Sequence, residues 1–312
     1  MSIAEAGEFG LIARIVARLD FGTASLLGPG DDAAVVAASD GRVVASTDVL
    51  VEGRHFRRDW SSATDVGHRA AAANLADIAA MGASPTALLV GLCVPVDLDI
   101  SWAEDLAAGL SAEAAKVGAG VVGGDMSASP TLTVAVTALG DLGGRAPVLR
   151  SGAQPGDVVA LAGRTGYAAG GYTVLSRGFR TPKLLVEAYR RPEVPYEAGA
   201  AAATLGATSM IDVSDGLLQD LGHVAAASVV GIDLHTEAFE IPGAMRDAAI
   251  ALGVDPFQWV LGGGDDHALA ATFPPGVTLP AQWRVIGGVH EGTGVTVDRK
   301  PWQGGTGWDH FR

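Results

Sequence analysis

Apolar positions along the chain follow two periods, and the switch between them marks out the elements. Leu11, Ile12, Ile15, Val16 and Leu19 recur on one helical face and predict an opening amphipathic helix. An apolar run at 33–37 predicts a strand, and Asp40-Gly41 a hairpin turn into a second strand at 42–46. A long Ala-rich helix is predicted over 63–81, closed by Gly82 and blocked by Pro85. A buried strand follows at 88–94. A helix at 101–117 is expected to start on Ser101 as N-cap, with Glu104 completing a capping box. Residues 131–138 alternate Thr, Leu, Thr, Val, Ala, Val, Thr, Ala, the clearest period-two strand in the chain. The turn-rich segment 150–157 has no period and predicts a boundary between domains at 1–148 and 149–312. Beyond it come predicted strands at 158–162, 210–213, 269–273, 284–287 and 295–297, with helices near 183–189, 196–205 and 216–227. This mixed order predicts an α/β (α+β) protein in two domains, with no tandem repeat.

Composition narrows the function classes. The 312 residues suffice for two cores, and 48% hydrophobic against 18% charged residues excludes general disorder. A net charge of −14 argues against nucleic acid or an anionic membrane as a main partner. Cys93 is the sole cysteine, so no intrachain disulfide and no Cys-ligated zinc is expected, and a cytoplasmic setting follows. Glu5, Glu8, Arg14 and Arg18 interrupt the N-terminal apolar positions, unlike a signal peptide. The apolar stretch at 87–96 contains Gly91 and Pro95 and is far shorter than the ~20 residues of a membrane span.

The familiar phosphate loops are absent. The three lysines, Lys116, Lys183 and Lys300, lie outside any Gly-rich loop, and the formal G-x-G-x-x-G at 118–123 follows a helix instead of opening one. What recurs is aspartate beside glycine or at strand ends: Asp31-Asp32, Asp48, Asp77, Asp125, Asp212 with Asp215, and Asp265-Asp266. A single such Asp is an ordinary turn or cap residue; Asp215, for one, is placed to cap the helix after it. Asp77 is the most informative, because it lies with Asn74 on one side of a helix with almost no polar face. A carboxylate there needs either a metal ion or a cation such as Arg69. Ser46, Thr47 and Asp48 end a strand and offer hard oxygens suited to Mg²⁺. Ser214-Asp215-Gly216 opens a helix whose free N–H groups suit a phosphate, provided divalent ions stand between it and the acids. His55, Trp308 and Arg150 read as ordinary surface or packing residues unless a ligand recruits them.

Taken in order, these motifs resemble the thiamine-monophosphate kinase family, within the superfamily of aminoimidazole ribonucleotide synthetase. The resemblance covers Gly-Glu-Phe-Gly-Leu-Ile at 7–12, Gly-Pro-Gly-Asp-Asp-Ala-Ala at 28–34, Ser-Thr-Asp-Val-Leu-Val-Glu-Gly-Arg-His-Phe at 46–56 and Asn-Leu-Ala-Asp-Ile-Ala-Ala-Met-Gly-Ala at 74–83. It continues at Gly-Gly-Asp, 123–125, Arg-Ser-Gly-Ala-Gln-Pro-Gly-Asp, 150–157, Ile-Asp-Val-Ser-Asp-Gly-Leu, 211–217, and Gly-Trp-Asp-His-Phe, 307–311. It implies transfer of the ATP γ-phosphoryl group to thiamine monophosphate, assisted by several Mg²⁺ ions. By matching position, Asp31, Ser46, Thr47, Asp48, Asp77, Asp125, Asp212 and Asp215 are expected to bind Mg²⁺. Gly124, Asp125, Arg150 and Ser214 are expected at ATP, and His55, Asp265 and Trp308 at the thiamine substrate. The resemblance also implies a homodimer whose N-terminal sheets meet in a barrel, with an α/β C-terminal domain. The phosphate nucleophile is ionised near neutrality and needs no general base.

One segment departs from the family. Gly-Gly-Asp-Asp-His-Ala-Leu at 263–269 stands where the family usually has Gly-Gly-Glu-Asp-Tyr-Glu-Leu. Asp265 therefore reaches about 1.5 Å less far, one carbon–carbon bond. Two other readings compete: a different ATP-dependent synthetase of the superfamily, and a nucleotide- or metal-binding homologue without turnover.

Overall fold

The computed structural model describes residues 11–28 and 34–308 and divides the chain into two compact units. The first comprises 1–78 and 83–144, the second 79–82 and 145–312.

In the first unit, residues 11–16 are helical. Strands β1 (Ser25–Leu27) and β2 (Val35–Val36) pair as a short antiparallel ribbon. The main sheet contains β3 (Val44–Val51), β4 (Ser84–Val94), β5 (Gly120–Ala128) and β6 (Thr133–Asp141), in the order β3-β6-β4-β5. Helices α1 (Ala63–Ala80) and α2 (Ile100–Ala115) supply the rest of its core. The alternation in β6 has a clear cause. Val134, Val136 and Ala138 are fully buried, while Thr133, Ala135, Thr137 and Leu139 form a half-open outer face.

Two expectations are corrected here. Asp99, not Ser101, caps α2, accepting from the Ser101 N–H at 2.8 Å. Glu104 has turned inward and takes Arg14 and Arg18 as partners. The second correction is β5, which Gly-rich sequence hid. Its glycines are spatial necessities: a Cβ on Gly120 would collide with the backbone of Phe21 and Gly22, and one on Gly124 with the Val90 carbonyl. Gly124 and Asp125 consequently lie within a strand and not in a loop.

The second unit holds a six-stranded sheet of β7 (Val158–Ala162), β8 (Ser209–Val213), β9 (Gly231–Leu234), β10 (Ala268–Phe273), β11 (Trp283–His290) and β12 (Gly294–Val297), in the order β12-β9-β11-β7-β10-β8. Every pairing is antiparallel except β12 with β9. The described residues of this unit form the α-helices α3 (Tyr167–Ser176), α4 (Lys183–Arg190), α5 (Tyr196–Leu205), α6 (Leu217–Ser228), α7 (Gly243–Leu252) and α8 (Pro256–Gly262). Strands β7, β8 and β10 are almost wholly buried, which explains their continuous apolar runs. Among the described residues no helix is long and apolar enough to cross a membrane.

Candidate functional site

In the first unit, β3 lies beside α1, and its pleat decides what meets the helix. Ser46 and Asp48 point one way along the strand. The Ser46 hydroxyl donates to the Asp77 carboxylate at 2.6 Å. The Asp48 N–H donates to the Asn74 Oδ1 at 3.0 Å, and the Asn74 amide donates back to Ala70 within the helix at 2.9 Å. Asn74 is fully buried, so it acts as a fixed bracket between strand and helix. Thr47 faces the other side: its hydroxyl donates to the Val136 carbonyl at 3.0 Å and accepts from Thr137 at 3.1 Å. His55 closes the turn after β3, its Nδ1 accepting from the Val51 N–H at 3.0 Å.

Asp125 is not brought to this group. Asp48 pairs with Val136, Val136 with Val90, and Val90 with Gly124, so β3 and β5 are opposite edges of the sheet. Three strand spacings put Gly124 and Asp125 roughly 14 Å from Asp48 along the sheet. Asp31 lies outside the described residues.

In the second unit the turn after β8 gathers most of the expected residues. Asp212 is buried at the end of the strand, with His267 Nδ1 3.2 Å from its Oδ2. The Ser214 carbonyl accepts from the Asp265 N–H at 2.8 Å, and the Asp215 carbonyl from the Trp308 N–H at 2.9 Å. Gln219 donates to the Trp308 carbonyl at 2.9 Å. Asp215 does not cap α6. The cap position is Gly216, and the helix entrance is tied by Asp220, whose Oδ2 accepts from Asp215 N–H at 3.1 Å and Gly216 N–H at 3.0 Å. Burial, then the nearby charge of Asp212, pushes the Asp220 carboxyl up to about 7. Arg150 is exposed, held only through its carbonyl by Ser228, and its guanidinium forms no ion pair among the described residues.

Sequence reading gave Asp220 no place in the site, and Asp266 and His267 no role of their own. Asp220 sits in Leu-Leu-Gln-Asp-Leu-Gly, an acid in an apolar helical run, which is the same signal that singled out Asp77. Asp266 was masked by its neighbour in the Asp-Asp pair.

Among the described residues no three His, Cys, Asp or Glu side chains are grouped so as to hold a metal ion by themselves. The donors do suit magnesium. They are hard oxygens in small sets, and Mg²⁺ commonly takes one or two carboxylates and completes its shell with water and substrate phosphates. The crowding of Asp212, Asp215 and Asp220 also leaves negative charge that a cation would relieve.

The comparisons with known proteins bear on the whole chain. Residues 30–142 match the family described as AIR synthase related protein, N-terminal domain. The chain is 50% identical over 312 residues to a thiamine-monophosphate kinase of Mycobacterium tuberculosis (strain ATCC 25618 / H37Rv), covering 99% of this chain and 93% of that protein. It is similar to the solved structure of AaThiL complexed with AMPPCP and TMP, with a TM-score of 0.82 at 31% identity, covering 100% of this chain and 99% of the other. The thiamine-monophosphate kinase structure from Stenotrophomonas maltophilia K279a gives a TM-score of 0.79 at 33% identity, covering 94% of this chain and 97% of that chain.

Proposed function

The chain belongs to the thiamine-monophosphate kinase family, and from that membership we infer that it transfers the γ-phosphoryl group of ATP to thiamine monophosphate, giving thiamine diphosphate and ADP in the cytoplasm. The observation that carries the site is the β8 turn, which holds Asp265 on one carbonyl and Trp308 on the next, with Asp212 and Asp215 beside them.

The acceptor is a phosphate oxygen, already ionised near neutrality, so no residue serves as a base. Ser46, Asp48 and Asp77, then Asp125, then Asp212 and Asp215, are the residues that would hold Mg²⁺; Asp31 joins them by family position. Thr47 is left out of this set because its hydroxyl is committed to β6. Magnesium, when bound, neutralises the approaching phosphates and stabilises the leaving oxygen. Arg150, whose guanidinium has no ion pair among the described residues, and the Ser214 hydroxyl contact the ATP phosphates, and Gly124 with Asp125 border the nucleotide. His55, Asp265 and Trp308 contact the thiamine substrate, whose cationic thiazolium suits a carboxylate and an aromatic face.

A homodimer completes this reading. The outer face of the four-stranded sheet forms an apolar groove of about 800 Å³, lined by Ile12, Val16, Leu89, Ala135 and Leu139 among others. A second copy closing on that face would build a barrel from two sheets. If such a barrel sets β3 of one copy beside β5 of the other, the separation of Asp48 from Asp125 is bridged between copies.

The test is ADP release with ATP and Mg²⁺, with and without thiamine monophosphate. Release that depends on thiamine monophosphate is expected, and Asp265→Glu should equal or exceed the parent. ADP release indifferent to thiamine monophosphate would overturn the assignment. Mixing inactive Asp48→Ala and Asp125→Ala proteins after unfolding together should restore part of the activity if the site is shared across copies, and none if it is not.

A further inference from the structure

The loop 263–267 departs from its family in sequence and is unusual in backbone. Asp265 (φ +67°) and His267 (φ +52°) both occupy the left-handed region, on either side of Asp266. Neither is glycine, so the surrounding structure must hold this course. The main chain supplies two ties, Asp265 N–H to Ser214 and His267 N–H to the Val213 carbonyl at 3.1 Å.

The third tie is a side chain. Asp266 is 1% exposed, and its Oδ1 accepts from the Ala168 N–H at 3.0 Å. That amide belongs to the first turn of α3, whose cap position is Gly166 at φ +87°, a residue with no side chain to offer. Asp266 therefore caps a helix 98 residues away in sequence. Its other oxygen, Oδ2, has no hydrogen-bond partner among the described residues. Burial pushes this carboxyl up to about 7, against the favourable Ala168 amide and Arg164 charge and with a smaller push from Asp265. A buried, half-satisfied carboxyl weakens the fold, a cost that points to another use for its position.

We propose that Asp266 is the positioning residue for Asp265: by fastening the 263–267 loop to the start of α3, it fixes the left-handed course that turns Asp265 outward while Asp266 and His267 stay buried. The inference rests on the reading of Asp265 as a contact to thiamine monophosphate. An acid one methylene short of the family's usual Glu has less play in its reach, so the placement of its backbone sets the affinity.

Steady-state kinetics on the full chain test this, with thermal melts to confirm folding. Asp266→Ala should raise KM for thiamine monophosphate about tenfold and leave kcat and KM for ATP within about twofold. Asp266→Asn keeps an acceptor for Ala168 and should return KM to within about twofold of the parent. Asp266→Glu keeps the charge but pushes the loop outward, and should raise KM for thiamine monophosphate at least about threefold; it decides the matter if the alanine variant does not fold. An unchanged KM in Asp266→Ala or Asp266→Glu, equal rises in both KM values, or failure of Asp266→Asn to recover overturns the proposal. Asp265→Ala separates the two layers. If it raises KM while Asp266→Ala does not, positioning fails and the substrate contact stands; if it does nothing, both fall.

Discussion

Two acidic groups in this molecule are built on opposite plans. In the first unit, Asp48 and Asp77 are each accompanied by a neutral polar residue, Asn74 beside one and Ser46 beside the other. In the second, Asp212 faces His267 and Asp215 faces Gln219, but both acids lie near Asp220, which burial and then their charge drive toward neutrality. In the first group the Ser46 hydroxyl donates to the Asp77 carboxylate, while Asn74 fixes Asp48 through its backbone N–H, so each acid is placed by a neutral partner. In the second group like charges raise the Asp220 carboxyl, a repulsion that a divalent ion would release. The first group is therefore expected to govern activity, and the second to couple activity to pH and metal through stability.

The sharpest way to break this contrast is to remove the supported acids. Asp48→Ala or Asp77→Ala should lower ADP release at least about 100-fold, about 3 kcal/mol, as expected for loss of a metal ligand. Near-normal turnover in either would dissolve the distinction. A smaller effect is expected from Asp220→Asn, and it lies in stability. A carboxyl whose pKa is raised on folding binds its proton more tightly in the native state, so the native state loses stability as pH climbs from about 4 to about 7. In metal-free buffer Asp220→Asn should thus be more stable than the parent by about 2 kcal/mol at pH 8 and equal to it at pH 4. Melting curves across that range check it, and parallel curves would show that the three acids do not crowd one another. The smallest effect should come from Thr47→Val. With its hydroxyl bound to β6, the substitution should change kcat/KM less than about threefold, roughly the net worth of one or two exposed hydrogen bonds; a loss like that of Asp48→Ala would mean the hydroxyl faces the metal after all.

Much of the fold was legible because burial and period agree. Val158–Ala162 reads as a strand from its apolar run alone, and α1 from its alanines and the Gly82 stop. Where backbone must approach backbone, the side-chain code falls silent, which is why β5 escaped notice. Helix α3 escaped for a related reason: it opens on Gly166 and borrows its cap from Asp266. Of the candidate site, the alternation that turns Thr47 away from Ser46 and Asp48 follows from their place on a strand, but the bond that makes Asn74 a bracket between strand and helix does not show in local sequence. The opposite-edge positions of β3 and β5 depend on strand order, which local sequence does not encode.

That strand order has a further consequence. Among the described residues, β3 and β5 end the four-stranded sheet with only local ties on their outer sides, Asp48 to Asn74 and Val121 to Asp20, beside an apolar groove. Such edges are templates for indiscriminate strand addition. Self-association into a closed ring of strands would remove them, so thermal resistance should rise with protein concentration, and any change that blocks pairing should yield sticky, aggregating material before it yields a well-behaved single chain.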